Sequence, residues 1–258
     1  AGGTTKQVTE YRNMVQRQGI EAVVGYISSG SCLAVAPVAE ELKTFTVLFD
    51  CGTPRIFEDA DYTYVFRTAA HATPESVGAA RYVLEKFPET TKVQGINQNY
   101  AWGQDSWRDF SESMKQLKPD VKVATEQFPK IYAGQYGAEI SALLSESPDV
   151  VHTSFWGGDM EAFTLQGSVR GVFKKSEVVL TCGETAMHRL GTQLPDGAII
   201  GGRGPFGNYA PDSELNSWFR KQYFDRYNTW PTYPAYKAAQ ALLGMKAAYE
   251  KAAKADQL

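Results

Sequence analysis

Three serines at the mouth of a predicted strand are the first residues whose types and spacing suit chemistry. In Glu21-Ala22-Val23-Val24-Gly25-Tyr26-Ile27-Ser28-Ser29-Gly30-Ser31 an apolar run of strand character stops at small hydroxyl residues, and residues 32–42 then read as a helix. The backbone N–H groups at such a helix start, joined by the hydroxyls of Ser28, Ser29 and Ser31, suit a carboxylate or a phosphate. Plain N-capping accounts for the same serines. Further corners of this kind follow along the chain. Asp50, Gly52 and Thr53 come after an apolar run at 45–49, Tyr100 and Trp102 after 92–96, Phe155 and Trp156 after 150–154, and Glu184 after 177–180. Together they offer anion-binding donors, two carboxylates and broad apolar walls. A free amino acid asks for that set: its carboxylate takes N–H and O–H donors, its ammonium a carboxylate, and its side chain apolar cover. Structural alternatives stand beside each: the tryptophans as core, Glu184 as a cap, Asp50 as an Asx turn before Pro54.

The residues that a reaction would need are not legible. Gly202-Arg203-Gly204-Pro205-Phe206-Gly207 matches GxGxxG, but Pro205 and Pro211 interrupt it and no strand ending in an acidic residue follows at the required distance. The serine corner lacks the spacing of a nucleophile elbow. His71, His152 and His188 are the only histidines; His152 falls inside a buried strand, His188 on a helix or turn, and Cys182 with His188 makes no metal spacing. The residues therefore predict binding without turnover, with no cofactor and no metal. An α/β hydrolase using Ser28 or Ser29 is the competing class.

These corners need strands and helices to hold them. At 258 residues, with 43% hydrophobic and 12% aromatic residues, the chain reads as an ordinary globular protein of about two domains. A net charge of −3 without any long Lys/Arg run argues against nucleic acid and against an anionic membrane as partner. No apolar stretch approaches the roughly 18 residues of a membrane span. Ala1-Gly2-Gly3-Thr4 leads straight into a helix, which implies a mature chain or one whose true N-terminus is missing. Cys32, Cys51 and Cys182 show no CxxC spacing and are too few for a disulfide framework, so the redox compartment is not readable from them.

Thr4 and Gln7 have capping-box spacing, and Gly19 is placed to stop the first helix. Strands are predicted at 45–49, 62–67, 92–96, 121–128, 150–154, 177–180 and 198–201. The residues at 97–103 read as a loop, and Trp107, Phe110, Met114 and Leu117 follow a helical stripe. Two long helices, about 212–227 and 233–253, close the chain. Strands alternating with helices mean parallel sheets covered on both faces, with ligands at the carboxyl ends of the strands.

At these residues the chain resembles the leucine/isoleucine/valine-binding protein family. The likeness rests on Ala22 to Gly30, Ala34-Val35-Ala36-Pro37-Val38-Ala39-Glu40, Gly52-Thr53-Pro54, Phe66-Arg67-Thr68, Asn99-Tyr100-Ala101-Trp102-Gly103-Gln104-Asp105 and Pro231-Thr232-Tyr233-Pro234-Ala235-Tyr236, and it covers essentially the whole chain. It implies an α/β fold of the type 1 periplasmic-binding-protein kind: two Rossmann-like lobes, the first from 1–69 and 203–258, the second from 70–202, with a hinge and the ligand between them. It also implies that an N-terminal strand-helix-strand and a C-terminal crossover are missing. By position, Ser29 resembles the serine that takes the ligand carboxylate. Asp50 and Gly52 fall where the family uses an alanine carbonyl and a threonine, Trp102 and Trp156 where it places tyrosines, and Glu184 where a glutamate meets the ligand ammonium. Gly52 in place of threonine loses a hydroxyl unless Thr53 supplies it. Asp50 adds a negative charge, which favours a ligand of more positive or polar character, or an aromatic one on the tryptophans. The resemblance implies a monomeric periplasmic or lipid-anchored extracytoplasmic protein that delivers an amino acid to the permease subunits of an ABC transporter. Aromatic carboxylates and quaternary amines are alternative ligands, and a receptor or regulator domain is a further alternative on the same fold.

Overall fold

The computed structural model describes residues 3–205 and 210–254, with the side chain of residue 254 left aside. Phe206 and Gly207 of the glycine-rich passage lie outside the described residues. In chain order the elements begin α1 (Thr4–Gln18), β1 (Ala22–Gly25), α2 (Ser29–Glu41), β2 (Phe45–Leu48), α3 (Arg55–Glu58) and β3 (Val65–Arg67). There follow α4 (Ala72–Lys86), β4 (Lys92–Gly95), α5 (Ala101–Leu117), β5 (Lys122–Val123), α6 (Gly137–Glu146), β6 (Val150–Thr153), α7 (Gly157–Arg170), α8 (Val172–Lys175) and β7 (Glu177–Leu180). After 3-10 turns and α9 (Met187–Leu190) come β8 (Ile199–Ile200), α10 (Glu214–Tyr227) and α11 (Tyr233–Lys254). The backbone divides into two compact units, one made of Ala1–His71 with Gly204–Leu258, the other of Ala72–Arg203.

In the first unit β1, β2 and β3 lie side by side and parallel, with Val23 opposite Thr46 and Thr46 opposite Val65. Their short apolar runs are buried against α2, whose Cys32, Val35, Ala36 and Ala39 form the core with Tyr11, Leu48 and Ile56. Tyr11 is fully buried, so its hydroxyl must find a partner, and Thr46 Oγ1 lies 2.6 Å away. Helix α1 ends as the sequence predicts: Gly19 adopts a φ of 68°, a left-handed turn that glycine takes without a Cβ penalty. It does not start as predicted. Gly3 is the cap and Thr4 the first helical residue, so the helix starts one position earlier than a capping box on Thr4 and Gln7 requires.

The second unit is a five-stranded, wholly parallel sheet in the order β5-β4-β6-β7-β8. The second strand of the unit lies outside the first, which gives a doubly wound sheet whose order reverses between β4 and β6. Alternation along the strands sorts the core onto the two faces. Val150 and Val179 join Val93, Trp107, Phe110 and Met114 beneath α4 and α5, while Val151, Val178 and Leu180 join Ile140, Phe163 and Val172 beneath α6, α7 and α8.

Three predicted elements need correction. The strand at 121–128 shrinks to two residues plus a bridge from Ile96 to Gln127, because the ladder bulges. The Ala124 N–H meets the Val93 carbonyl and the Gln127 N–H the Gly95 carbonyl, three residues against two, and the Gln94 side chain takes the carbonyl of Thr125 within the bulge. The strand at 62–67 starts only at Val65, because the Glu40 carboxylate accepts the N–H groups of Thr63 and Tyr64 at 2.9 Å each. The loop at 97–103 is helical from Ala101 onward, and Leu117, expected in the stripe, is 47% exposed.

Candidate functional site

The corner of the first unit is built around the start of α2. Strand β1 is followed by Tyr26 in the left-handed region at φ 68°, a conformation that a bulky residue adopts only when its surroundings hold it. Burial pushes its phenol up to about 12, so the ring stays neutral. Ser28 then stands as the N-cap in extended conformation without a side-chain capping bond, and Ser29 is the first helical residue. The serine therefore does not cap its own helix. Its hydroxyl accepts the N–H of Thr53 across the corner at 3.2 Å, and the residue is 1% exposed.

The segment that carries Asp50, Gly52 and Thr53 is fastened from several directions. Cys51 is joined to Cys32 in the first turn of α2 by a disulfide. Arg67 at the end of β3 donates through one nitrogen to the carbonyls of Cys51 and Thr53, at 2.9 and 2.6 Å. The Thr53 hydroxyl accepts the N–H of Arg55 at 3.3 Å. Asp50 meets Lys237 of α11 at 3.3 Å, with the two side chains only 2% and 3% exposed, and the Lys237 ammonium also lies 4.5 Å from the centroid of Tyr233. The negative charge expected to favour a more positive ligand is thus matched inside the unit by a lysine far away in sequence.

In the second unit the corners after β4 and β6 meet at the point where the strand order reverses, the usual ligand position in such sheets. Tyr100 is the N-cap residue of α5 and Trp156 that of α7. The Trp156 indole N–H donates to the Tyr100 hydroxyl at 2.7 Å, and Tyr132 stands edge-on to Trp156 at 5.8 Å. Burial raises the Tyr100 phenol above its ordinary range, so it is a neutral donor and acceptor. Trp102 lies in the first turn of α5, 3% exposed, with its N–H donated to the Ser154 carbonyl at 2.8 Å. Asn97 fixes the same stretch by accepting the Ser154 N–H at 2.8 Å. Phe155 turns into the core against Tyr136 and Phe163.

Glu184 follows β7 in a short 3-10 turn and is 3% exposed, a carboxylate held out of water. Gly202 passes beside it, where a methyl group would stand 3.7 Å from the carboxylate. His152 is structural: it is fully buried in β6, stacked on Phe110 at 4.4 Å, with Nε2 3.2 Å from the Thr181 hydroxyl.

Taken by unit, the structure brings Ser28, Ser29, Asp50, Gly52 and Thr53 to one set of strand ends and Tyr100, Trp102, Trp156 and Glu184 to another. A family model described as periplasmic binding protein matches residues 1–258. The chain belongs to the periplasmic binding protein family. Among its relatives, the leucine-specific-binding protein of Salmonella typhimurium is 23% identical over 169 residues, which are 65% of this chain and 44% of that protein. The chain spans less than half the length of that curated relative. Among solved structures, a leucine binding protein from Thermotoga maritima superposes with a TM-score of 0.81 at 17% identity, covering 97% of this chain and 70% of that one. A solute binding protein of an ABC transporter from Rhodopseudomonas palustris, in complex with 3,4-dihydroxybenzoic acid, gives 0.80 at 18% identity, covering 99% and 68%. These likenesses are of fold, α/β with parallel sheets flanked by helices.

Sequence reasoning on this family member missed five residues that set the corners: Cys32 with Cys51 as a pair, Lys237, Arg67 and Arg203. Arg67 had a visible signal, a lone cation at the end of a predicted strand. Lys237 and Arg203 had none, because their partners are 187 and 128 residues away.

Proposed function

We propose that this chain is the solute-binding component of an ABC transporter, acting outside the cytoplasmic membrane. It takes up an amino acid or amino-acid-like molecule and hands it unaltered to a permease. The observation that carries this reading is the cross-tied corner at Ser29. There the Thr53 N–H occupies one lone pair of the hydroxyl, so the hydroxyl proton and the N–H groups of the first turn of α2 are left to meet a carboxylate. Ser28, Gly52 and Thr53 line that corner. In the second unit Tyr100 and Trp156 supply apolar cover, Trp102 supports them from the core, and the water-excluded carboxylate of Glu184 receives the ammonium. Asp50, matched by Lys237, shapes the corner and does not select a second cationic group. The Cys32–Cys51 disulfide fits an oxidising compartment outside the cytoplasm.

A second reading, an aromatic carboxylate without an ammonium, draws on the aromatic surroundings of Trp156 and on the Rhodopseudomonas palustris proteins solved with benzoate and with 3,4-dihydroxybenzoic acid. Calorimetric titration against leucine, other amino acids, benzoate and hydroxybenzoates separates the two. Under the amino-acid reading Glu184→Gln weakens binding by roughly 30-fold, since removing one member of a desolvated pair costs about 2–5 kcal/mol. Tight binding of benzoate that is indifferent to Glu184→Gln selects the second reading. Absence of binding by every member of the panel rejects both.

A further inference from the structure

The chain passes from one compact unit to the other at residues 71–72 and again at 203–204. Each residue of the second passage rests on something in or beside the proposed site. Gly201 lies so close to the Thr181 backbone that a methyl group there would stand 2.4 Å from its carbonyl oxygen, which fixes the passage at the end of β7. Gly202 borders the Glu184 carboxylate. Arg203 is 6% exposed; its Nε donates to both oxygens of Glu75, at 3.1 and 2.9 Å, and its guanidinium lies 4.4 Å from the centroid of the Trp102 ring. Gly204, the next residue and the first of the other unit, lies where a methyl group would be 3.4 Å from Tyr233 Cβ and 3.7 Å from Lys237 Cε, beside the ion pair of Asp50.

Glu75 stands in the first turn of α4, just beyond the earlier crossing. The buried Arg203–Glu75 pair therefore ties the ends of the two crossings together within the second unit, and it does so against the flat face of a tryptophan. An arginine is suited to both contacts at once, because its planar guanidinium can pair with a carboxylate and stack on an aromatic ring.

We propose that Arg203 is a positioning residue that couples the crossings to the ligand site: with Glu75 it anchors both connections, and through Trp102 it transmits the state of the aromatic corner to them. Its link to ligand rests on the binding-protein reading, while the anchoring is a property of the ligand-free protein and is tested there. Hydrogen exchange on the full chain without ligand is compared for the wild type, Glu75→Gln, Arg203→Met and Arg203→Lys. The expected result is exchange roughly tenfold faster in peptides covering 68–77 and 199–205 of the first two variants, with β4 and β6 unchanged and Arg203→Lys intermediate. The indole N–H resonance of Trp102, assigned through Trp102→Phe, is expected to shift in both Arg203 variants. Unchanged exchange at both crossings, or equal acceleration throughout the second unit, overturns the anchoring. An unmoved Trp102 resonance overturns the coupling. Failure of every ligand to bind would reject the transport reading and leave these two results to stand on their own.

Discussion

At the scale of single residues, Asp50 shows how a charge changes meaning once its partner is known. Breaking a buried pair from one side typically costs about 3–5 kcal/mol. Asp50→Asn should therefore lower stability in urea by that order, and Asp50→Asn combined with Lys237→Met should recover much of the loss. A loss near 1 kcal/mol, as for a turn cap, would show that the ion pair contributes little. Ser29→Ala removes both the acceptor for Thr53 and the donor proposed for the ligand. Calorimetry should register binding weaker by about 1–3 kcal/mol, the cost of an unmet hydrogen bond to a charged group. That Ser29, Trp156 and Glu184 stand beyond strand ends was legible in the sequence because each follows an apolar run. What they touch was not legible, because Thr53, Tyr100 and Gly202 reach them only through the fold.

At the scale of elements, strand β6 carries a pH dependence. Burial holds the His152 imidazole neutral, its pKa lowered from 6.5 to about 3. The unfolded chain takes up this proton near 6.5 and the folded chain does not, so the stabilisation is complete above that value and is lost as pH falls towards about 3. Urea midpoints of wild type and His152→Gln between pH 7 and 4 should therefore converge as the solution becomes acidic. Parallel curves would mean that the imidazole protonates in place. Reduction of the Cys32–Cys51 bond, whose ends are 19 positions apart in sequence, should cost about 3 kcal/mol by the chain-entropy account. Thermal melts with and without dithiothreitol would measure it. The element pattern itself was read well wherever a run is continuously apolar, as at β7. It failed at β3, where the Glu40 carboxylate takes the Tyr64 N–H, and at β5, where a bulge of one residue breaks the ladder, effects that hydrophobic periodicity does not encode.

At the scale of the whole molecule, the alternation of strands and helices identified the α/β class, and the order β5-β4-β6-β7-β8 adds the switch point that places Tyr100 and Trp156. Under the proposed function a saturating ligand should reduce the radius of gyration in solution scattering, by bending at the crossings. An unchanged radius under saturation would separate binding from closure.

The division of the chain also orders events in time. Unit two, Ala72–Arg203, is one uninterrupted stretch, whereas unit one needs both Ala1–His71 and Gly204–Leu258. Its strands β1, β2 and β3 leave the ribosome long before α11, which packs on β1 and β2 and brings Tyr249 to Phe45. Until then that sheet face is uncovered, an opportunity for aggregation or for a chaperone, while the later-made unit two can already be closing on its own core.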